Sequence, residues 1–261
     1  MKRIGLIGCG AIGSLIAKAI DEGVVKAELA YVYDINSDIA LKLVGKLKKK
    51  PRVSNGIEEM LKDKSVEIII ETASDEAVVK YLKQIVEAGK EVLVMSIGGL
   101  LSPETRRIYE ENIGRIHVPA GAIAGLDAIQ AISLVGVDRV VLTTRKPPEA
   151  LAYSRYFKEQ GIDLEKIREP TLVYEGPVED ALKHFPKSVN VAAALALYSK
   201  SGVLVRIIAD PTRENIVHEI EVESKVSNLR ILVENVPHPD NPRTSYLAAL
   251  SCIQKLREIC G

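Results

Sequence analysis

Cysteine is scarce in this chain of 261 residues: Cys9, Cys252 and Cys260 are an odd number at uninformative spacings. They spell neither a disulfide framework nor a zinc site, and they suit a reducing cytoplasm. Net charge is missing as well, because 35 basic residues face 35 acidic ones. That balance removes any overall attraction to nucleic acid or acidic membranes, and the local run "KLKKK" before Pro51 reads as the solvated end of a helix. No apolar run is long enough to cross a bilayer, and the N-terminus enters a strand at once, without a signal sequence. Low-complexity tracts and internal repeats are also absent. The expectation is a cytoplasmic globular protein, 47% hydrophobic, long enough for one large domain or two modest ones.

The first half alternates. "RIGLIG", "AELAYVYD", "VEIIIETAS" and "EVLVMSIGG" read as strands, and "SLIAKAIDEG", "SDIALKLVGKLKKK", "DEAVVKYLKQIVEAGK" and "SPETRRIYEEN" as helices. The last of these opens with Ser102 as N-cap and Pro103 at its first position. Strands separated by helices of this length imply crossovers and a parallel sheet covered on both faces, a Rossmann-type doubly wound α/β fold. After about residue 115, "VDRVVLTTRKPP", "GVLVRIIAD", "NIVHEIEVES" and "NLRILVENV" are strands at short spacing around one apolar helix, "KSVNVAAALALYSK". This predicts a second, α+β domain with a mainly antiparallel sheet. The expected division is a dinucleotide-binding domain over residues 1–115 and a substrate, catalytic and dimerisation domain over 116–241. A helix over 242–261 is expected to pack back onto the first domain.

"GLIGCGAIG" places Gly8, Gly10 and Gly13 in G-x-G-x-x-G, after a strand and opening a helix. Gly8 permits a tight turn, Gly10 lets backbone approach a pyrophosphate, and Gly13 allows close packing of helix on strand. The phosphates would meet the N–H groups of the first helical turn, at Ala11 and Ile12. Asp34 ends the second strand 21 residues after Gly13, where an acid binds the ribose diol; its alternative reading is a strand-end turn residue. Asp34 would repel a 2′-phosphate, and the "INSD" that follows has no cation to bind one, so NAD is favoured, with acceptance of NADP left open. Ala73 in "ETAS" and Ser96 in "MSIGG" are small residues at strand ends, with room beside them for ribose and nicotinamide; each could equally be an ordinary strand-to-helix turn.

Hydride transfer is accompanied by a proton, and imidazole suits its carriage near neutral pH. Four histidines are available: His117 in a strand before a small-residue loop, His184 at a helix end, His238 between prolines, and His218. In "NIVHEIEVE" the alternation puts His218 with Ile216, Ile220 and Val222 on the apolar side of a strand. By residue type alone each histidine is more often structural than catalytic, and His218 is the favoured candidate.

The motifs "GCGAIG", "ETAS", "SIGGL", "PAGAIAGLDA", "TTRKPP", "FPKSVNVAAALAL", "ADPTRENIVHEIEVE" and "NPRTSYLAALS" resemble the L-aspartate dehydrogenases of NAD biosynthesis over nearly the whole chain. In fold, and in the "NPRTS" tail, the chain also resembles dihydrodipicolinate reductase and homoserine dehydrogenase. The first resemblance implies NAD(P)-dependent oxidation of L-aspartate to iminoaspartate, which passes to quinolinate or hydrolyses to oxaloacetate and ammonia. It also implies His218 as the active-site residue, Ala122 and Asn190 as cofactor contacts, and a homodimer. Arg145, Lys146 and Lys187 are cationic candidates for the two substrate carboxylates, against a reading of each as solvated loop charge. The competing expectations are a related imine or keto-acid reductase and a non-catalytic NAD-sensing module.

Overall fold

The computed structural model describes residues 1–185, 190–238 and 241–261, with backbone alone for residue 238 and for 241–244. The chain divides into two compact units, residues 1–121 with 248–261, and residues 122–247.

In the first unit β1 (Lys2–Ile7), β2 (Ala27–Tyr33), β3 (Arg52–Val53), β4 (Val66–Glu71), β5 (Glu91–Val94) and β6 (Ile116–His117) form one sheet. Its order is β3-β2-β1-β4-β5-β6, and every pairing is parallel. The chain winds outward from β1 to β3 and then crosses to β4, so the order reverses at the carboxyl ends of β1 and β4. That reversal is where an open α/β sheet leaves a crevice for a ligand. Ile116 and His117, expected at the start of the second domain, extend this sheet instead, paired in parallel with Val92 and Leu93.

Helices α1 (Ala11–Asp21), α2 (Ser37–Lys46), α3 (Ile57–Lys62), α4 (Asp75–Glu87) and α5 (Pro103–Glu111) connect these strands. Asn36, Ser74 and Ser102 cap α2, α4 and α5 with side-chain oxygens, each accepting a backbone N–H of the first turn. At α1 the cap is Gly10, which has no side chain to spend on those donors. Lys50 folds back onto α2, its ammonium donating to the carbonyls of Val44 and Gly45, so the basic run finishes that helix end.

The second unit contains α6 (Leu126–Ile132), β7 (Arg139–Lys146), α7 (Tyr156–Glu159), β8 (Thr171–Pro177), α8 (Val178–His184), α9 (Asn190–Ser199), β9 (Val203–Ala209), β10 (Ile216–Glu223) and β11 (Leu229–Asn235). The sheet order is β11-β10-β7-β9-β8, antiparallel except for the β7–β9 pair. Helix α9 is apolar all round, and its residues from Ala192 to Leu197 are all buried.

The chain's last stretch differs from expectation. Asn241–Ser245 is a strand, β13, paired antiparallel with β12 (Pro237–His238), and the final helix α10 spans only Tyr246–Cys260. Ladder pairing captures the segment around Pro242, and Ser245 is held by a hydrogen bond to the side chain of Asn235, so helical geometry begins one residue later. Cys252 and Leu256 of α10 are fully buried in the core that also contains Ile4, Leu6, Ile16 and Ile68. Among the described residues no helix is long and apolar enough to cross a membrane.

Candidate functional site

In the first unit the three glycines differ in what surrounds them. Gly8 has φ +90°, and a Cβ there would lie 2.7 Å from the carbonyl of Thr72, so both the turn and the close passage of β4 need glycine. A Cβ at Gly13 would collide with the carbonyl oxygen of Gly8, where α1 presses onto the end of β1. At Gly10 nothing lies within 4 Å, and the space stays open above the first turn of α1, where Ala11 is exposed and Ile12 half-buried. An open glycine at an uncapped helix N-terminus is what a pyrophosphate fits. Thr72 fastens the turn by donating its hydroxyl to the carbonyls of Gly8 (2.8 Å) and Ile7 (3.1 Å).

Asp34 follows β2 and accepts the backbone N–H of Cys9 at 2.8 Å and of Asn36 at 2.9 Å. Its carboxylate is thereby locked beside the glycine turn, with lone pairs left for a diol. Gly8, Gly10, Asp34 and Ala73 line a cavity of about 420 Å³, together with Tyr33 and Tyr81. The neighbouring hydroxyl of Tyr81, and secondarily burial, raise the pKa of Tyr33 above its ordinary value. Lys80 also lines the cavity, its ammonium 4.9 Å from the centroid of the Tyr81 ring. These α4 residues were not found by sequence reasoning. The available signal was the helical spacing of Glu76, Ala77, Lys80 and Tyr81, one face directed at the strand ends.

Glu71 was also missed, although its stretch was singled out. Its side chain is 1% exposed and accepts four hydrogen bonds: from the N–H groups of Ala73 (2.7 Å), Ser74 (3.0 Å) and Ser96 (3.0 Å), and from the hydroxyl of Ser96 (2.9 Å). Burial raises its pKa, and the four donors pull it back toward the ionised form. One carboxylate thus ties the loop after β4 to the loop after β5. Ser96, expected to leave room for the cofactor, donates its hydroxyl to Glu71, and Ala73 lines the cavity.

In the second unit His218 is 4% exposed, on the face of β10 that also buries Ile220 and Val222. The ladder pairs it with Thr144 of β7, whose hydroxyl lies 3.0 Å from Nδ1. Burial, and secondarily the charge of Lys146, push the imidazole pKa down to about 3. At neutral pH the ring is therefore uncharged, the form able to accept a proton. Among the described residues no cluster of His, Cys, Asp and Glu could hold a metal ion.

Residues 127–259 match the family described as aspartate dehydrogenase, C-terminal, and residues 8–117 match the one described as homoserine dehydrogenase, NAD binding domain. An L-aspartate dehydrogenase of Methanosarcina barkeri is 45% identical, over 99% of this chain and 97% of its own. The chain belongs to the L-aspartate dehydrogenase family. A second member, from Methanocaldococcus jannaschii, is 38% identical over 99% of this chain and 97% of its own. A crystal structure of aspartate dehydrogenase from Thermotoga maritima superposes with a TM-score of 0.77 at 27% identity, covering 100% of this chain and 97% of that one. A myo-inositol dehydrogenase of Lactobacillus casei, 13% identical, shares the fold, with a TM-score of 0.51 over 88% of this chain and 74% of its own. A nicotinamide cofactor follows from the NAD-binding match.

The remaining candidates of this family member fall as follows. Ala122 is buried, and its carbonyl accepts the side-chain N–H of Asn235 (3.0 Å), which itself accepts the hydroxyl of Ser245 (2.5 Å). Asn235, 2% exposed, was not singled out in the sequence, because its partners lie 113 and 10 residues away. Asn190 is the first residue of α9. His117 pairs with Glu91 at 2.8 Å in the first sheet, and His184 packs among Tyr156, Tyr174 and Phe185. Arg145 lies on the opposite face of β7 from His218 and pairs with Glu219 at 3.5 Å, so it is spent as a surface partner. Lys187 and the side chain of His238 lie outside the described residues.

Proposed function

We propose that the protein is an NAD-dependent L-aspartate dehydrogenase that oxidises L-aspartate to iminoaspartate and thereby feeds NAD biosynthesis through quinolinate. The observation that carries this is the neutral, buried imidazole of His218 held on Thr144, in a unit whose sequence belongs to this family. The bound nicotinamide supplies the hydride acceptor. The chain supplies the rest: Gly8, Gly10, Gly13 and the N–H groups at Ala11 and Ile12 cradle the pyrophosphate, and Asp34 takes the ribose diol. Ala73, Ala122 and Asn190 complete the cofactor contacts, and Ser96 acts through the loop it fixes with Glu71.

As hydride leaves the α-carbon, positive charge develops on the substrate nitrogen and its proton becomes acidic. The free ring nitrogen of His218 takes that proton, or takes one from water adding to the imine, which then breaks down to oxaloacetate and ammonia. Asp34 favours NAD, while Lys80 in the same cavity offers a cation to a 2′-phosphate, which supports use of NADP as well. By family resemblance the enzyme acts in the cytoplasm as a homodimer, for which a species of twice the chain mass in solution is expected.

The test is direct. Purified protein with NAD and L-aspartate should generate near-ultraviolet absorbance from reduced nicotinamide, and oxaloacetate with ammonia should consume it. NAD binding with silence in both directions would sink the reading. Turnover of dihydrodipicolinate or homoserine in its place would move the protein to a related reductase.

A further inference from the structure

Lys146 ends β7 on the same sheet face as Thr144, two residues earlier, and so on the face of His218. It is 6% exposed, and among the described residues no hydrogen bond or ion pair engages its ammonium, which is not fully closed off from solvent. The nearby acids are engaged elsewhere. Asp210 follows Ala209, the β9 residue paired with Lys146, but its carboxylate accepts the N–H (3.0 Å) and hydroxyl (2.6 Å) of Thr212 and faces Arg213. Glu219 sits on the other face of the sheet with Arg145. Buried lysines are ordinarily paired, because an uncompensated ammonium away from water is costly. Here the backbone around it is anchored, with the Asp210 N–H on the Lys146 carbonyl at 2.8 Å, and among the described residues the side chain has no counter-ion.

We propose that Lys146 anchors a carboxylate of the substrate, holding an amino dicarboxylic acid by one end with its α-nitrogen within reach of His218. The assignment rests on the aspartate dehydrogenase reading for the identity of the substrate, though not for the existence of an anion site. It separates two of the three cations considered in the sequence: Arg145 is neutralised by Glu219, whereas its neighbour Lys146 lies on the other face of the sheet. The same ammonium adds to the forces keeping His218 uncharged, consistent with a site that collects an anion beside a neutral base.

The test combines steady-state kinetics with calorimetric binding of succinate, an unreactive four-carbon dicarboxylate, to the full-length protein. In Lys146→Met the KM for L-aspartate and the Kd for succinate should both rise roughly 10- to 100-fold, the range of a lost charge-assisted hydrogen bond. The Kd for NAD should stay within a factor of about two, and Lys146→Arg should recover part of the loss. If the preference for L-aspartate over L-asparagine collapses in Lys146→Met, the anchor holds the side-chain carboxylate; if both substrates weaken together, it holds the α-carboxylate. Unchanged KM and succinate binding would overturn the proposal. Unchanged KM with collapsed kcat would also overturn it, making Lys146 a proton carrier. Should Lys146→Met fail to fold, Lys146→Gln serves in its place. A wild type that binds succinate through Lys146 but never oxidises aspartate would leave the anchor standing and remove the dehydrogenase reading. The converse pattern would do the reverse.

Discussion

The hydroxyl of Thr144 and Nδ1 of His218 are 3.0 Å apart, across two strands separated by 74 residues of chain. If Nδ1–H donates to this oxygen, Nε2 keeps its lone pair and the ring is a base; the opposite tautomer would place the proton on the working nitrogen. Thr144→Val removes the partner at nearly constant volume. It should lower kcat about 10-fold, with NAD affinity unchanged, in stopped-flow and fluorescence titration. His218→Asn should cost about 10²- to 10⁴-fold in kcat. An unaltered rate in either variant would free the proton step from this pair.

The same burial has a signature in stability. The folded-state pKa of His218 lies near 3 against 6.5 for the free side chain, so between these values the unfolded chain binds the extra proton. Stability from this group is complete above pH 6.5 and drains as pH falls, by up to about 1.4 kcal/mol per pH unit. Denaturant unfolding at pH 7 and pH 5 should show a larger loss in the wild type than in His218→Asn. Equal losses would mean that the imidazole titrates as if exposed.

Gly10→Ala and Gly13→Ala should part company. Open space surrounds Gly10, so its alanine variant should keep the wild-type melting temperature and lose NAD affinity by an order of magnitude or more. At Gly13 the added methyl meets the Gly8 carbonyl, so α1 must shift and stability itself should fall by about 1–3 kcal/mol. Calorimetry on the two variants checks both halves.

Glu71→Gln replaces one acceptor oxygen with an NH₂ group that faces donors. Loosening of the loops after β4 and β5 should cost about 1–3 kcal/mol and raise the Kd for NAD severalfold, although Glu71 does not line the cavity. Retained affinity would show that the loops hold their shape without it.

For cofactor choice, Asp34→Ser should shift kcat/KM toward NADP by about 10-fold or more, and adding Lys80→Ala should reverse much of that gain. Kinetics with both cofactors decide it; no response to Lys80→Ala would exclude this lysine from phosphate recognition.

Local geometry explains what could be read from the sequence. The glycine turn, Asp34 at a strand end and the cap at Ser102 are contacts within a few residues or one βαβ unit, and alternation alone put His218 on the buried side of β10. What stayed hidden depends on pairing between distant segments. The register of β10 against β7 gives His218 its threonine, and side-chain bonding over 113 residues gives Ala122 its Asn235. The contrast between Arg145 and Lys146 lies in between, because alternation separates their faces but only the sheet shows which one is covered. The hairpin that claims Asn241–Ser245 from the last helix likewise competes through a partner strand, which helical periodicity does not register.

The placement of Cys252 and Leu256 beside Ile4 and Leu6 bears on the order in which the molecule can assemble. Residues 122–247 are contiguous, whereas the nucleotide-binding unit lacks its closing helix until residues 248–261 are made. Synthesis therefore runs counter to the usual N-terminal-first sequence. A chain ending at residue 247 and released from the ribosome should have a protease-resistant second unit and a first unit still open to cleavage.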